Sequence, residues 1–413
     1  MPHADDDTVL LVISMGNPAY RSYCLESAAR RHRLVLVDST TPTWQLAHIV
    51  DHEVADPHDL AALRGAVARL ADRHTIAGVL TWDEYCLLPA AQIATDLALP
   101  GQSSATAAAC RNKAAARAVW AAEGVPSAQS IRATSLVTAS TAARRIGYPV
   151  VLKPAAHAAS IGVIKVERAE DLPTAFAYTC DHAGDQGEEG SGVLVEEYLD
   201  GPEISVECVT VHGITTPVAV TRKMLGPEPL FQEVGHTVRA DDPLLAQVGP
   251  IAEAALDALG VNTGVSHVEM RLTAGGPRLI EVNARLGGDL IGRLVQLATG
   301  IDLPAVAADI AVGREPDLTP TRREAAGVRF LSPAASGTLQ RADARPELGA
   351  PDWLERLCFE HKAGEQILLP DHGGNLHTGR LAHFVVTGTD TDQVHARLEY
   401  VANLLDVEVS EVV

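Results

Sequence analysis

Short apolar runs alternate with helix-period segments through the first hundred residues. Val9–Ser14 ("VLLVIS"), Leu34–Asp38 ("LVLVD") and Ile76–Thr81 ("IAGVLT") read as buried strands. Between the last two, "DLAALRGAVARLADR" places its apolar residues at helical spacing. This alternation predicts a βαβ-type open sheet. Its ligand crevice would lie at the strand C-termini, near "SMGNPAY" and "TWDEY". The single glycine of "MGNPAY" makes no dinucleotide fingerprint, and the chain holds no Walker A motif.

Downstream, "CRNKAAARAVWAAEG" predicts a helix ended by Gly124 and Pro126. "YPVVLKP" predicts a buried strand ending in Lys153, a place where solvation does not explain a lysine. The small-residue loop "AAHAASIG" follows, and "DHAGDQGEEGSG" (Asp181–Gly192) reads as a polar surface loop. "VLVEEYLDGPEISVECVTV" predicts two strands around a turn at Asp200–Pro202, and a helix is expected near Leu244–Gly260. From about Arg314 the pattern is a mixed α+β lobe with a final helix near Thr391–Leu405.

The densest chemistry lies in "VSHVEMRLTAGGPRLIEVNARLGG", two alternating runs joined by a good hairpin loop. A turn centred on Gly275 sets Glu269 opposite Glu281 and His267 opposite Asn283. Val268, Met270, Ile280 and Val282 then share the other, apolar side. Like charges directly opposed across a hairpin are destabilising, with Cβ atoms about 4.5–5.5 Å apart. Hard oxygen donors converging at that spacing suit Mg²⁺. The alternative is a solvated face whose acids are neutralised by Arg271 and Arg278.

Composition narrows the classes. At 413 residues the chain exceeds one ordinary core, so two or three domains are expected. Acidic residues outnumber basic ones by 53 to 33, for a net charge of −20, which argues against a nucleic-acid or anionic-membrane binder. The acidic start "MPHADDDTVLLVIS" is unlike a signal peptide, and no spanning stretch is evident. Six scattered cysteines without a C-x-x-C pair favour reduced thiols and a cytoplasmic location.

With Lys113, Lys153, "EEYLDGPEISVE" and "HVEM…LIEVNARLGG" in this order, the chain resembles the ATP-grasp carboxylate–amine ligases. Within them, "NARLGGDLIGRLVQLATGIDL" and "FQEVGH" resemble the branch containing bacterial L-amino acid ligases, which join amino acids into dipeptides. The resemblance implies an α/β (α+β) ATP-grasp fold in three parts. These are a Rossmann-like open-sheet domain (1–105), an ATP-grasp core (106–313) with a lid at about 123–195, and a C-terminal α+β lobe (314–413).

Carried over by position, Lys113 and Lys153 would hold the ATP phosphates. Glu196, Glu197, Tyr198 and Leu199 would meet the adenine edge, and Glu203 the ribose. Glu269, Glu281 and Asn283 would bind magnesium, as two ions, with Mn²⁺ able to substitute. Arg285 would stabilise the transferring phosphoryl group. "AAHAASIG" matches the loop over the phosphates, but it is alanine-rich and keeps mainly Ser160 and Gly162.

On the substrate side, the resemblance assigns His236 to substrate. Glu84, Glu233, Gly287 and Gly288 are further candidates. Small-molecule carboxylate and amine substrates are implied, amino acids or a γ-glutamyl donor among them, and a homodimer is compatible. A biotin-carboxylase-like or nucleotide-biosynthetic enzyme is the alternative, and a non-catalytic ATP-binding regulator a further one.

Overall fold

The apolar runs of the first hundred residues form a parallel sheet from β1 (Thr8–Ile13), β2 (Leu34–Asp38), β3 (Asp51–Val54) and β4 (Thr75–Leu80), in the order β3-β2-β1-β4. The structure, a computed structural model, describes residues 8–156, 160–183 and 192–411. β3, "DHEV", was not anticipated because it lacks an apolar run; as the edge strand it needs none. Both faces of β1 are covered, which explains its unbroken hydrophobicity. Val9, Leu11 and Ile13 pack with the helix Leu60–Ala71, while Leu10 and Val12 pack toward the helices Ile291–Thr299 and Leu303–Ala311. After β1, Asn17 caps helix α1 (Pro18–Ala29) by accepting from the Ala19 N–H, with Pro18 at its first position.

The helix expected over "CRNKAAARAVWAAEG" is broken in two. Asn112 ends Ser104–Arg111, and its side chain caps Lys113–Glu123 by accepting from Ala114 and Ala115. A cap outweighs the helical alanine pattern around it. Lys113 therefore opens a helix, where an unbroken helix would have carried it mid-face.

A second, antiparallel sheet of four strands follows: β5 (Ser130–Ala133), β6 (Val150–Pro154), β7 (Ile164–Val166) and β8 (Val193–Glu197), ordered β5-β8-β6-β7. With the helices Leu136–Ile146 and Leu172–Ala183 it has its own core around Val150, Leu152 and Val195. His157 and most of the Asp181–Gly192 loop lie outside the described residues.

The remaining strands are β9 (Glu203–Val211), β10 (Ile214–Leu225), β11 (Glu233–Arg239), β12 (Gly264–Thr273), β13 (Gly276–Asn283), β14 (Ala325–Leu331), β15 (Gly337–Ala344), β16 (Leu354–Phe359), β17 (Gln366–Ile367), β18 (Ala382–Gly388) and β19 (Leu405–Glu411). Eight of them form one antiparallel sheet, β13-β12-β9-β10-β11-β14-β18-β16, so strands of the C-terminal segment continue the central sheet. β15, β17 and β19 make a small separate sheet. The two strands around Asp200–Pro202 exist, but they belong to different sheets. The crossing is tight: a Cβ on Gly201 would lie 2.1 Å from the Leu272 carbonyl oxygen, and its φ is +140°. Only glycine fits there.

The β12–β13 hairpin pairs Glu269 with Glu281 and His267 with Asn283, as the alternation implied. Its loop, however, pairs Thr273 with Gly276, and a bulge between Glu269 and Met270 absorbs the extra residue. One side chain is thereby corrected. Ile280, expected on the apolar side, lines the cleft, and Leu279 is buried in its place with Val268, Met270 and Val282 against the helix Leu245–Ala258. A bulge places consecutive residues on one face, which simple alternation does not anticipate.

Among the described residues no single helix is long and apolar enough to cross a membrane. All six cysteines are free thiols.

Candidate active site

A cleft of about 410 Å³ opens between the C-terminal ends of β1 and β4, the β5–β8 sheet and the polar face of the large sheet. The crevice expected near "SMGNPAY" and "TWDEY" is its rim, through Met15, Asn17, Trp82 and Glu84. Of the candidate ATP-, metal- and substrate-binding residues named from the sequence, all but Gly162, His236 and Gly287 line it.

Lys153 projects from β6 and is 4% exposed. Its Nζ lies 2.6 Å from Glu196 Oε2, and Glu196 is also held by Arg117 through two bonds of 2.9 and 3.0 Å. Burial lowers the Lys153 ammonium pKa, with Glu196 opposing that shift. Burial alone would raise the Glu196 carboxyl, but Arg117 and Lys153 outweigh it and hold it at about 2. The Glu196 side chain is thus bound up beneath the site, positioning Lys153. Glu196 and Glu197 end strand β8, and Tyr198 and Leu199 lie just past it.

Lys113 Nζ lies 3.1 Å from Glu281 Oε1. Across the hairpin, Glu269 Oε1 meets Lys223 Nζ at 2.5 Å and His267 Nε2 at 3.0 Å. Lys223, from β10, also reaches Glu233 at 2.6 Å and Glu203 at 3.5 Å. Burial opposes its charge, yet these three carboxylates raise its pKa well above the ordinary value. Glu269 is held far below the carboxylate range, because Lys223 and His267 overcome its burial. Burial pushes Glu203 upward against the opposing pull of Lys223. Behind them His267 Nδ1 contacts the buried Glu207 at 2.9 Å, and the pair of acids lifts His267 to about 9 despite its burial.

The opposed acids are therefore compensated by Lys113, Lys223 and His267. Arg271 and Arg278, the alternative read from the sequence, serve other acids: Arg271 pairs with Glu203 at 2.9 Å and Arg278 with Glu197 at 2.9 Å. Arg285 Nη2 donates to Asn283 Oδ1 at 3.2 Å, and Arg285 Nε makes an ion-pair contact with Glu84 Oε2 at 2.7 Å, out of hydrogen-bond alignment. Glu269, Glu281 and Asn283 thus present oxygen donors on one face, the set a hard divalent cation takes.

His236 is fully buried and sits behind the cleft wall, its Nε2 3.4 Å from Asp289 Oδ2. Asp289 forms the wall and accepts two bonds of 2.7 Å from Arg380, a residue of the C-terminal segment. Arg380 stacks over Phe330 at 3.6 Å. Arg380 holds Asp289 well below the carboxylate range against its burial. Asp289 and Leu290 adopt φ of +50° and +64°, a conformation costly for residues with a Cβ. Glu233, His236 and Asp289 bring potential metal-ligand atoms within 4.8 Å of one another, but Lys223 and Arg380 already answer their charge. Gly287 is required by packing, since a Cβ there would lie 2.9 Å from His267 Nδ1, while Gly288 borders open space.

Sequence reasoning missed Lys223, Asp289, Arg117 and Arg380. Lys223 lies on an alternating strand and Asp289 directly follows "GG", so both carried a faint signal. Arg380 carried none, standing 91 residues from its partner.

The ATP-grasp domain family matches residues 146–293. An uncharacterized protein, y4rH, of Sinorhizobium fredii is 33% identical over 348 residues, spanning 81% of this chain and 70% of that protein. An L-arginine-specific L-amino acid ligase of Bacillus subtilis is 20% identical over 302 residues, 71% of this chain and 72% of the relative. Among solved structures, an L-amino acid ligase from Bacillus licheniformis superposes with a TM-score of 0.83 at 22% identity, over 99% of this chain and all of that one.

Proposed function

This chain belongs to the ATP-grasp family, and from that premise we propose that it is an ATP-dependent ligase joining a carboxylic acid to an amine, with amino acids on both sides. The observation that carries the reading is the set of opposed carboxylates Glu269 and Glu281 sharing one cleft with Lys113, Lys153 and Arg285.

The chemistry takes two steps. A substrate carboxylate oxygen attacks the γ-phosphorus of ATP, giving an acyl phosphate and ADP. The amine then attacks the acyl carbon, a C–N bond forms, the acyl C–O bond breaks, and inorganic phosphate leaves while the nitrogen loses a proton. Phosphoryl transfer needs alignment and charge neutralisation above all. Lys153, held in place by Glu196, and Lys113, at a helix N-terminus, face the phosphates. Arg285, steadied by Glu84 and Asn283, meets the charge that builds on the transferring group. A bound Mg²⁺, or Mn²⁺ in its place, would be held by Glu269, Glu281 and Asn283 and would neutralise phosphate charge. The β5–β8 sheet stands over the cleft as the part able to exclude water from the acyl phosphate.

The test is ADP release with Mg-ATP across pooled L-amino acids, with mass spectrometry of each active pool. A product equal to two substrates less one water supports the proposal. ADP release that depends instead on bicarbonate would replace it with the biotin-carboxylase-like reading. ATP binding without turnover in any acid and amine mixture would point to a regulator.

A further inference from the structure

The cleft runs past Arg285 to a pocket between α1, the Gly287–Asp289 turn and the C-terminal segment. Charge balance there is uneven. Every other lysine and arginine lining the cleft faces a carboxylate: Lys113 and Lys153 deep inside, Lys223 at its centre, Arg285 and Arg380 near its far end, and the supporting Arg117 and Arg271. Arg21 has none within ion-pair distance among the described residues. It meets only neutral groups, through Nη1 to the Gly287 carbonyl oxygen at 3.2 Å, two residues beyond Arg285, and through a contact with the Cys24 thiol. A guanidinium carries five donors, and these contacts leave several of them unused. Nor does the helix call for the charge. Arg21 lies in the first turn of α1, where a cation opposes the dipole, and Asn17 already provides the cap.

We propose that Arg21 anchors a non-reacting carboxylate of the amine-side substrate, so that the acceptor is a carboxylate-bearing amine such as an α-amino acid. The inference rests on the ligase reading and deepens it. The reacting carboxylate is claimed by Arg285 and the phosphate-facing lysines. A second carboxylate entering beside Gly287 and Gly288 finds Arg21 as the cleft cation without a carboxylate partner, in the planar geometry that takes a carboxylate through two bonds. A site built around such a group discriminates strongly against analogues lacking it, because the guanidinium is then left facing a neutral substrate.

Wild type, R21A and R21K would be compared in two assays with Mg-ATP. In the first, each L-amino acid serves as the acid and hydroxylamine, which bears no carboxylate, traps the acyl phosphate as a hydroxamate. In the second, acceptors are supplied as matched L-amino acids and their carboxamides. Wild type is expected to prefer the acids about 10- to 100-fold in kcat/KM, the scale of hydrogen bonds to a charged group. R21A loses that preference through KM and suffers far less in the hydroxylamine assay, and R21K recovers part of it. Equal loss in both assays, or a wild type that uses amides as well as acids, overturns the role of Arg21. Absence of hydroxamate from wild type with every amino acid would instead sink the ligase reading, and the inference with it.

Discussion

Glu269 and Glu281 face each other across the β12–β13 hairpin, each held by a lysine from elsewhere in the chain: Lys223 at 2.5 Å for the first and Lys113 at 3.1 Å for the second. Two acids that would repel in an isolated hairpin are tolerated because other elements deliver cations to them. The same cations face the side on which ATP would bring its phosphates.

Replacing either acid by its amide tests the metal assignment. E269Q and E281Q should each lower kcat/KM by about 100-fold or more and raise the Mg²⁺ concentration for half-maximal activity. Titrating Mg²⁺ in the ADP-release assay reads both. An unchanged Mg²⁺ dependence would remove these residues from the ligand set.

Lys223 is the counter-charge for three acids, Glu203, Glu233 and Glu269. K223M should destabilise the metal-free protein by about 3–5 kcal/mol, the usual result of leaving buried charges uncompensated. Mg²⁺ should recover part of that loss. Urea unfolding with and without Mg²⁺ measures it, and a metal-independent loss would count against convergence of these acids on one ion.

The Glu196 carboxyl is held at about 2, against an ordinary value of 4.5. A depressed folded-state pKa gives stability that is complete above the unfolded value and is lost as pH falls through the folded one. The advantage of wild type over E196Q should therefore be full above about pH 5, on the order of 3 kcal/mol, and vanish toward about pH 2. Denaturant melts of both proteins across that window check the trend. A difference that is flat with pH would mean Glu196 gains nothing from Arg117 and Lys153.

R380M should cost about 3–5 kcal/mol by stranding Asp289 in the wall, whereas D289N/R380M should be closer to wild type in stability. A double-mutant cycle read by chemical denaturation separates the pair from its surroundings. Additive single effects would mean that the 2.7 Å contacts carry no coupling.

Much of this molecule was legible in its sequence, wherever local periodicity decides structure. Buried parallel strands such as β1 must be continuously apolar, so they showed as runs. The Glu269–Glu281 opposition followed from side chains alternating along two strands joined by a short loop. The set from Lys113 to Arg285 marked the family because its members keep one order along the chain.

What the sequence left open was settled by local detail that periodicity does not register and by contacts between distant parts of the chain. Asn112 split a helix that composition ran together, and a bulge exchanged Leu279 for Ile280. The counter-charges came from afar as well: Lys223 is 46 residues from Glu269 and Arg380 is 91 from Asp289. Hydrophobic period reports which face of an element is buried, and it does so residue by residue. Electrostatic partnership depends on where separate elements come to rest, so the sequence determined which groups must be neutralised and only the tertiary structure decided by what.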